Sequence, residues 1–540
     1  MIKNILNTLM ATTLFTASIT TFAQAPVLGT AANFVLFSTN GAVSNTGITI
    51  LTGNVGTNNG SSTGFGNVNG GMHDGDITSA ACAADLLFAY TQLNNAIPDS
   101  FPAPLLGNGK VLKAAVYKIS SAATLNSILT LDGENKANAV FIFQIQGAFS
   151  TGANAKVRLI NGAKACNVFW KVEGKVEMAA GTKMCGTVVA NNAEIVTNTK
   201  DTLEGRLLTT KGAITVDGLK GYTPIGCGSP MLTGPAKPNL GTAACFGIFS
   251  SDGPVKNTGI TKIKGDVGAN VGLTTGYDSL LVTGTIHKKP DATTAKSAAD
   301  LLIAYNYLNT LPADIKLLYP AQFGNNLELT PHTYIMNGAT TFTDTLFLNA
   351  QGNANAVFIL KLYGALITST YSKVVLMNGA KAENVYWMIN GAVDINDYSI
   401  INGSIISQGA INLYTGVAIN GRALTGVGAV ETHAINGAAK IEPGICGGTV
   451  DINTLDSKNE AVVVYPNPFS SSISLLYNNT SINTLEFSLF NILGERVVAQ
   501  QITNASAQIE TSDLSAGVYY YQIISTNKTT QSGKLICIKK

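Results

Sequence analysis

The chain states one pattern twice. LGTAANFVLFS, beginning at Leu28, returns as LGTAACFGIFS at Leu240, and NTGIT at Asn45 returns at Asn257. ANAVFIFQI at Ala137 returns as ANAVFILKL at Ala354, and NVFWKV at Asn167 returns as NVYWMI at Asn384. The offsets are 212 residues for the first two pairs and 217 for the others, which defines two homologous domains in tandem. So small a drift means short loop insertions on a shared scaffold, since a solenoid array would return every 20 to 50 residues or so.

A finer period lies inside each domain. Asn167, Gly186 and Gly205 open NVFWKV, GTVVA and GRLLT at steps of 19, and Asn384, Gly403 and Gly421 follow at steps of 19 and 18. Short β-rich segments at this period fit the coils of a β-helix, each adding a rung about 4.8 Å above the last. Steps of 19 predict one column of Phe169, Val188 and Leu207 and a second of Trp170, Val189 and Leu208. Neighbouring strand residues point to opposite faces, so a wall with both columns apolar must be covered on both sides. The sequence supplies an outer cover. Asp76 precedes ITSAACAADLLFAYTQL and Asp291 precedes ATTAKSAADLLIAYNYL, each a good N-cap before helical spacing. About 17 helical residues span about 25 Å, roughly five rungs. One long helix is therefore expected along the Trp170 wall and another along the Trp387 wall.

Composition narrows the function classes. Charged residues make up 12% and hydrophobic ones 46%, against a usual charged share near 25%. A net charge of +2 gives no case for nucleic acid or an anionic membrane as partner. Residues 1–25 read as a signal peptide: Lys3, an apolar stretch from Ile5 to Ile19, then Ala23-Gln24-Ala25. Thr and Ser interrupt that stretch, which argues against a membrane anchor, and no transmembrane segment is expected in the mature chain.

Seven cysteines fit an oxidising compartment. Cys166 and Cys185 lie 19 residues apart, at one place on adjacent rungs, and are the predicted disulfide, because stacked Cα atoms fall within bonding range. Cys245 and Cys446 flank the second domain and are candidates to tie its ends. Cys82, Cys227 and Cys537 have no assigned partner. The sequence has no CxxC or Cys/His cluster with zinc spacing, and neither metal nor cofactor is expected.

An enzyme is a remote alternative. β-Helices can host polysaccharide-acting sites, but no GxSxG, HExxH or phosphate-binding loop appears. His73 and His287 recur just before the two helices and are expected to make local structural hydrogen bonds. Arg206 and Arg422, in the repeated GR pair, are expected to be structural too. A cell-surface adhesin binding glycan or another cell is the nearer rival.

The chain's last eighty residues or so form a different module. After a polar linker, VVVYPNPF from Val462, FNILGERVV from Phe490 and LSAGVYYYQI from Leu514 alternate apolar strands with Gly and Pro turns, as a small β-sandwich does. These motifs, in this order and before a basic end at Lys534, Lys539 and Lys540, resemble the C-terminal sorting domain of the type IX secretion system. The resemblance implies a Bacteroidetes-type bacterium, the type IX machinery as a partner, and a secreted protein, either released or retained at the outer cell surface.

The tandem domains carry a second resemblance. LGTA, NTGIT, the TGTIH from Thr283, the AADL helix, NAVFIFQI, the LINGAKACNVFWKV run from Leu159 and the late GRLL together resemble the microbial ice-binding protein family. The resemblance implies a mainly β chain: two tandem right-handed triangular β-helices, each with one long α-helix alongside, followed by the sandwich. The layout is signal peptide 1–25, first β-helix 26–228, linker 229–239, second β-helix 240–446, linker 447–460 and sandwich 461–540. It further implies that the first coil stacks on the last, which would bring Cys245 near Cys446, and that the partner is an ice crystal surface met by a flat Thr-rich face.

Threonine suits that task. Its χ1 is stiff, so a stacked face presents hydroxyl and methyl groups already in position. The methyl favours ordered water and the hydroxyl joins it to the lattice. Members of the family carry T-A/G-X-T/N on this face. Here Thr46 to Thr49, Thr151 to Asn154 and Thr258 to Thr261 match in full. Thr199 and Thr202 keep the outer pair around Lys200 and Asp201, and Thr415 keeps the first half alone. The candidate ice-binding residues are therefore Thr46, Thr49, Thr151, Asn154, Thr199, Thr202, Thr258, Thr261 and Thr415. The first domain is expected to bind better, and Thr151 to be exposed, so that Thr151→Tyr would obstruct the face without unfolding it.

Overall fold

The computed structural model describes residues 23–227, 232–438, 462–477, 485–504, 506–525 and 528–539. Nearly all of the expected signal peptide and the 447–460 linker lie outside them, as does Cys446. Residues 1–446 form one compact unit and 447–540 a second.

Each repeat is a three-walled coil of parallel strands. One wall carries the helix, one is free of any covering helix, and the third closes the triangle. The helices are α1 (Ile77–Asn95) and α2 (Ala292–Thr310), and they start where the sequence places them. Asp76 accepts from Ser79 N at 2.8 Å and Asp291 from Thr294 N at 2.9 Å, and the Ser and Thr hydroxyls close both capping boxes. The far ends are held from the coil: Gln144 Nε2 donates to Leu93 O and Ala96 O, and Lys361 Nζ donates to Asn309 O and Leu311 O. Along α1, Ser79, Cys82, Leu86, Ala89 and Leu93 are buried at helical spacing. Leu86 and Leu93 pack on Phe169, Val189 and Leu208, each leucine stabilising by roughly 1.5–3 kcal/mol.

The helix also explains why LGTA and AADL occur together. Thr30 N donates to Asp85 Oδ2 at 2.6 Å, and Thr242 N to Asp300 Oδ2 at 2.7 Å. Gly29 and Gly241 sit at φ +50°, and a Cβ there would lie 2.4 Å from the same carboxylate oxygens. Only glycine admits that approach.

Coil order departs from chain order. Strand Phe34–Asn40 lies between Thr202–Thr209 and Asn54–Asn59, with Leu36 opposite Leu207 and Phe37 opposite Leu208. In the second repeat Ile248 faces Ala423 and Phe249 faces Leu424. The buried GR arginines clamp this junction: Arg206 Nε donates to Ala32 O and Arg422 Nε to Ala244 O, both at 2.8 Å. The structural role expected for them is the one observed. His73 and His287 likewise brace the helix caps, through Asp76 at 2.7 Å and Asp291 at 2.6 Å.

The rung register corrects the sequence reading by one residue. Trp170 is opposite Val188 and Leu207, while Phe169 is opposite Thr187 and Arg206. Phe169, Val188 and Leu207 therefore do not share a column, and the first step is 18 residues rather than 19. Strand Lys183–Ala190 turns a corner without a break. Lys183 pairs with Lys156 on the third wall, and Thr187 to Ala190 pair with Phe169 to Val172 on the helix wall. Gly186 makes that corner at φ +103°, where a Cβ would meet Val168 O at 2.5 Å. The wall assignment stands: Trp170 points into the coil, stacked 4.0 Å from Phe143, and its neighbours Phe169 and Val172 face opposite sides.

The same geometry overturns the predicted disulfide. Cys166 lies in the 3-10 turn Ala165–Asn167, which bulges from the coil between strands Lys156–Ile160 and Val168–Val172. It is not on a rung, and it bonds Cys227 with Cα atoms 6.1 Å apart. Cys185 is a free thiol, and burial pushes its pKa up to about 12. Cys245 is disulfide-bonded.

The second unit is a sandwich of two antiparallel sheets. One joins Val462–Tyr465, Ser472–Tyr477 and Ser506–Glu510. The other joins Arg496–Ile502, Leu485–Phe490, Gly517–Ser525 and Lys528–Cys537. Phe469, Ile473, Phe487, Leu489, Ile523 and Leu535 fill the space between them.

Candidate functional site

The free wall of each repeat is an eight-stranded parallel sheet. In the first repeat its strands run, in space, Ser62–Thr63, Val43–Thr46, Ile214–Asp217, Ile195–Val196, Val176–Glu177, Phe149–Thr151, Ala123–Asn126 and Leu105–Gly107. Eight rungs at strand spacing make a surface about 34 Å long. Val43, Ile214, Ile195, Val176 and Phe149 are buried, and every second residue points outward. The outward column reads Thr63, Ser44, Thr215, Val196, Glu177, Ser150, Thr124 and Leu105. Ser44 Oγ lies 3.3 Å from Thr215 Oγ1, and Thr124 Oγ1 lies 3.1 Å from Ser150 Oγ. Hydroxyls thus stack on consecutive rungs. Charge breaks the column at one place, where Lys175 is 3.2 Å from Glu177 and 3.0 Å from Glu194.

The second repeat builds the same wall with more charge. Its outward column reads Thr275, Lys256, Glu431, Asn412, Asp394, Ile367 and Thr341. Lys256 and Glu431 form an ion pair at 3.9 Å. In the next column Thr258 Oγ1 is 2.6 Å from His433 Nδ1, and Tyr414 stacks on the same ring at 5.7 Å.

The residues singled out by the T-A/G-X-T/N pattern lie mostly along the corner between the free and third walls. Thr46 and Thr258 end strands of the free wall with exposed side chains, and Thr199, Asn154 and Thr415 are exposed in the corner turns. Stacked turns link several of them, through Gly218 N to Thr46 O, Gly181 N to Thr199 O and Asn154 N to Ala180 O. Asn154 is left-handed at φ 57°. Thr202 lies on the third wall, between Lys183 and Lys220.

The other three point away from the free wall's surface. Thr49 is half-buried and its hydroxyl donates to Asn45 Oδ1. Thr261 is buried and donates to Asn257 Oδ1 at 2.5 Å. Asn45 and Asn257 in turn donate across the turn to Gly47 O and Gly259 O, and to the next coil at Gly64 O and Gly276 O. NTGIT is thus an asparagine-anchored corner. Thr151 was expected to be exposed and is buried, 2.7 Å from Thr182 Oγ1 and accepting from Ala179 N. Register explains it: Thr151 occupies the inward column of Asn45, and Gly152 the outward column of Thr46. Matching four-residue words cannot see that phase.

Ser44, Thr63, Thr124, Ser150 and Thr215 escaped the pattern search. A signal existed for four of them: Ser44, Thr124, Ser150 and Thr215 each follow a buried apolar residue that opens a short strand. Among the described residues no helix is long and apolar enough to cross a membrane.

Comparison with known proteins agrees with this architecture. The family model described as "Ice-binding-like" matches residues 37–220 and again 249–436, and that described as "Secretion system C-terminal sorting domain" matches 463–539. An ice-binding protein of Nostoc sp. (strain HG1) is 35% identical over 198 residues, covering 36% of this chain and 73% of that protein. One from Flavobacterium frigoris (strain PS1) is 34% identical over 199 residues, covering 34% of this chain and 70% of that protein. The crystal structure of an ice binding protein from an Antarctic bacterium, Flavobacteriaceae, superposes with a TM-score of 0.76 at 57% identity, covering 78% of this chain and 99% of that one.

Proposed function

Because the chain belongs to the ice-binding-like family, whose model it matches once in each repeat, we propose that it is an exported protein that adsorbs to ice through the free wall of its first repeat. Export follows from the sorting domain at its C-terminus. The observation that carries the choice of surface is the outward run of Thr63, Ser44 and Thr215 on three consecutive rungs. Those hydroxyls stand on a flat parallel sheet, spaced by the rung repeat and held by stiff or short side chains, so docking onto a lattice of water costs little further ordering. Exposed Thr46 extends the patch toward the corner.

The second repeat is the weaker binder. Lys256 and Glu431 hold their own hydration shells where the first repeat has the hydroxyls of Ser44 and Thr215. Desolvating those charges against ice costs more than desolvating a hydroxyl. The corner residues Thr49, Thr151 and Thr261 support the coil and do not touch ice, and Thr202 lies on the charged third wall. No catalytic step is assigned to the chain.

Ice shaping tests this reading. In a nanolitre cryoscope the mature protein should facet growing crystals at micromolar concentration, and Thr215→Tyr should remove most of that effect by lifting the face off the lattice. Plain disc-shaped growth with the unaltered protein would reject ice as the ligand.

A further inference from the structure

The two repeats meet end to end. The coil end carrying Ser62–Thr63 in the first repeat packs on the coil end carrying Phe323–Gly324 in the second. Tyr319 N donates to Asn67 Oδ1 and Asn67 Nδ2 returns a bond to Tyr319 O, both at 2.9 Å. Tyr334 donates to Asn69 Oδ1 at 2.6 Å, Asn69 Nδ2 donates to Thr330 Oγ1 at 3.0 Å, and Lys220 reaches Glu328 at 3.7 Å. Asn69 and Tyr334 are buried by this contact region. It is heterologous, joining one end of a repeat to the opposite end of its homologue.

Such a contact leaves one end of each kind unused. On the second repeat, the free end has the docking edge that the first repeat uses. Ile263, Gly437 and Ile419 align there as Leu51, Gly221 and Leu203 do in the first repeat. That edge is an open groove of about 540 Å³, where Ile263, Leu280, Leu281 and Ile400 lie beside Lys262 and Lys264. Leu280 is 90% exposed. On the first repeat, the free end has the surface that the second repeat presents inside the molecule. Val111 precedes Leu112, which pairs with Leu131, as Glu328 precedes Leu329, which pairs with Leu348. Here the polar Tyr319 and Glu328 positions give way to Pro102, beside 70% exposed Phe101, and to 55% exposed Val111. The ion pair of the internal contact therefore has no counterpart at the unused ends, where Asn436 stands at the Lys220 position and Val111 at that of Glu328. Exposed leucine and phenylalanine at matched sites mark a contact surface.

We propose that these ends dock to each other between molecules, so that the groove at Leu280 receives the Phe101 and Val111 end of a second copy of this chain. The contact repeats the internal one in geometry, with Leu280, Leu281, Phe101 and Val111 adding apolar burial. A heterologous contact that does not close extends into a row, and a row would multiply the number of ice-facing walls carried together.

Sedimentation velocity on the full mature chain over a concentration series tests the proposal. The unaltered protein should show concentration-dependent dimers and longer species. Leu280→Asp and Val111→Asp, both at exposed positions, should each weaken association by at least about tenfold while leaving the thermal unfolding transition in place. An equimolar mixture of the two variants should recover dimers and nothing longer, because each keeps one sound end. A monomer throughout the series would overturn the proposal. So would association that survives in the Leu280→Asp/Val111→Asp double variant, or a mixture that recovers no dimer. None of these outcomes depends on whether the protein binds ice.

Discussion

The Thr261 hydroxyl donates 2.5 Å to Asn257 Oδ1, inside the corner and away from solvent. The last threonine of the repeated TGIT word thus secures the turn that sets the flat wall beside it. Thr432 donates to the same oxygen at 2.7 Å, so three side chains from three strand ends meet there. Thr261→Val should lower stability by about 1 kcal/mol, read by urea denaturation, and leave ice shaping by the intact chain nearly unchanged.

Thr151→Tyr should behave quite differently from an exposed substitution. The side chain shares a buried site with Thr182 and accepts from Ala179 N. A tyrosine there would overpack the corner and cost roughly 1–3 kcal/mol. Thermal unfolding should therefore fall together with any loss of ice shaping. An unchanged transition would place Thr151 outside the core.

Mass mapping of the unreduced protein should recover Cys166 linked to Cys227. Closing a loop with a sequence separation of 61 residues is worth roughly 4 kcal/mol on the chain-entropy model. The Cys185 thiol, raised to about 12 by burial, should resist alkylation at neutral pH until the first repeat unfolds. Rapid labelling of Cys185 in the folded protein would contradict its placement.

Asp201 gives a pH signature. Burial raises its pKa to about 6 although Asn198 N, Thr182 N and Gly181 N favour its charge. Its folded value lies above the unfolded one of 3.8, so the folded state takes up the proton first. This group therefore adds stability as pH falls from about 6 toward 3.8 and withdraws it as pH rises. Urea midpoints measured from pH 7 to 5 should carry this upward contribution in the native chain and lack it in Asp201→Asn.

Much of the architecture was legible because it rests on local chemistry repeated twice. Asp76 and Asp291 announced their helices by capping, and Trp170 and Trp387 marked the walls those helices cover. Register was not legible to the residue. The count from Asn167 to Gly186 began on the last residue of a 3-10 turn that lies off the rung, and Cys166, in that same turn, bonds Cys227 and not Cys185. The same limit applied to the site. Thr46 and Thr151 open similar words, yet one stands on the outward column and the other on the inward one. Strand phase is set by pairing across coils that lie far apart in sequence, as Leu36 opposite Leu207 illustrates.

The division between the two repeats can be read within the intact chain. Thr215→Tyr and Glu431→Tyr occupy corresponding rungs of the two free walls. The first should cost several-fold more ice-shaping activity than the second. Equal losses would assign both walls to ice, and a larger loss from Glu431→Tyr would reverse the assignment.

The central claim is that ice is met by the free wall of the first repeat. Nanolitre cryoscopy of the intact protein, Thr215→Tyr and Lys183→Tyr at equal concentration tests it most directly, because Lys183 lies on the third wall. Faceted crystals with the intact protein and with Lys183→Tyr, and near-circular discs with Thr215→Tyr, are the predicted result. Full faceting by Thr215→Tyr, with loss of faceting in Lys183→Tyr, would contradict the account and move the ice-binding surface to the third wall.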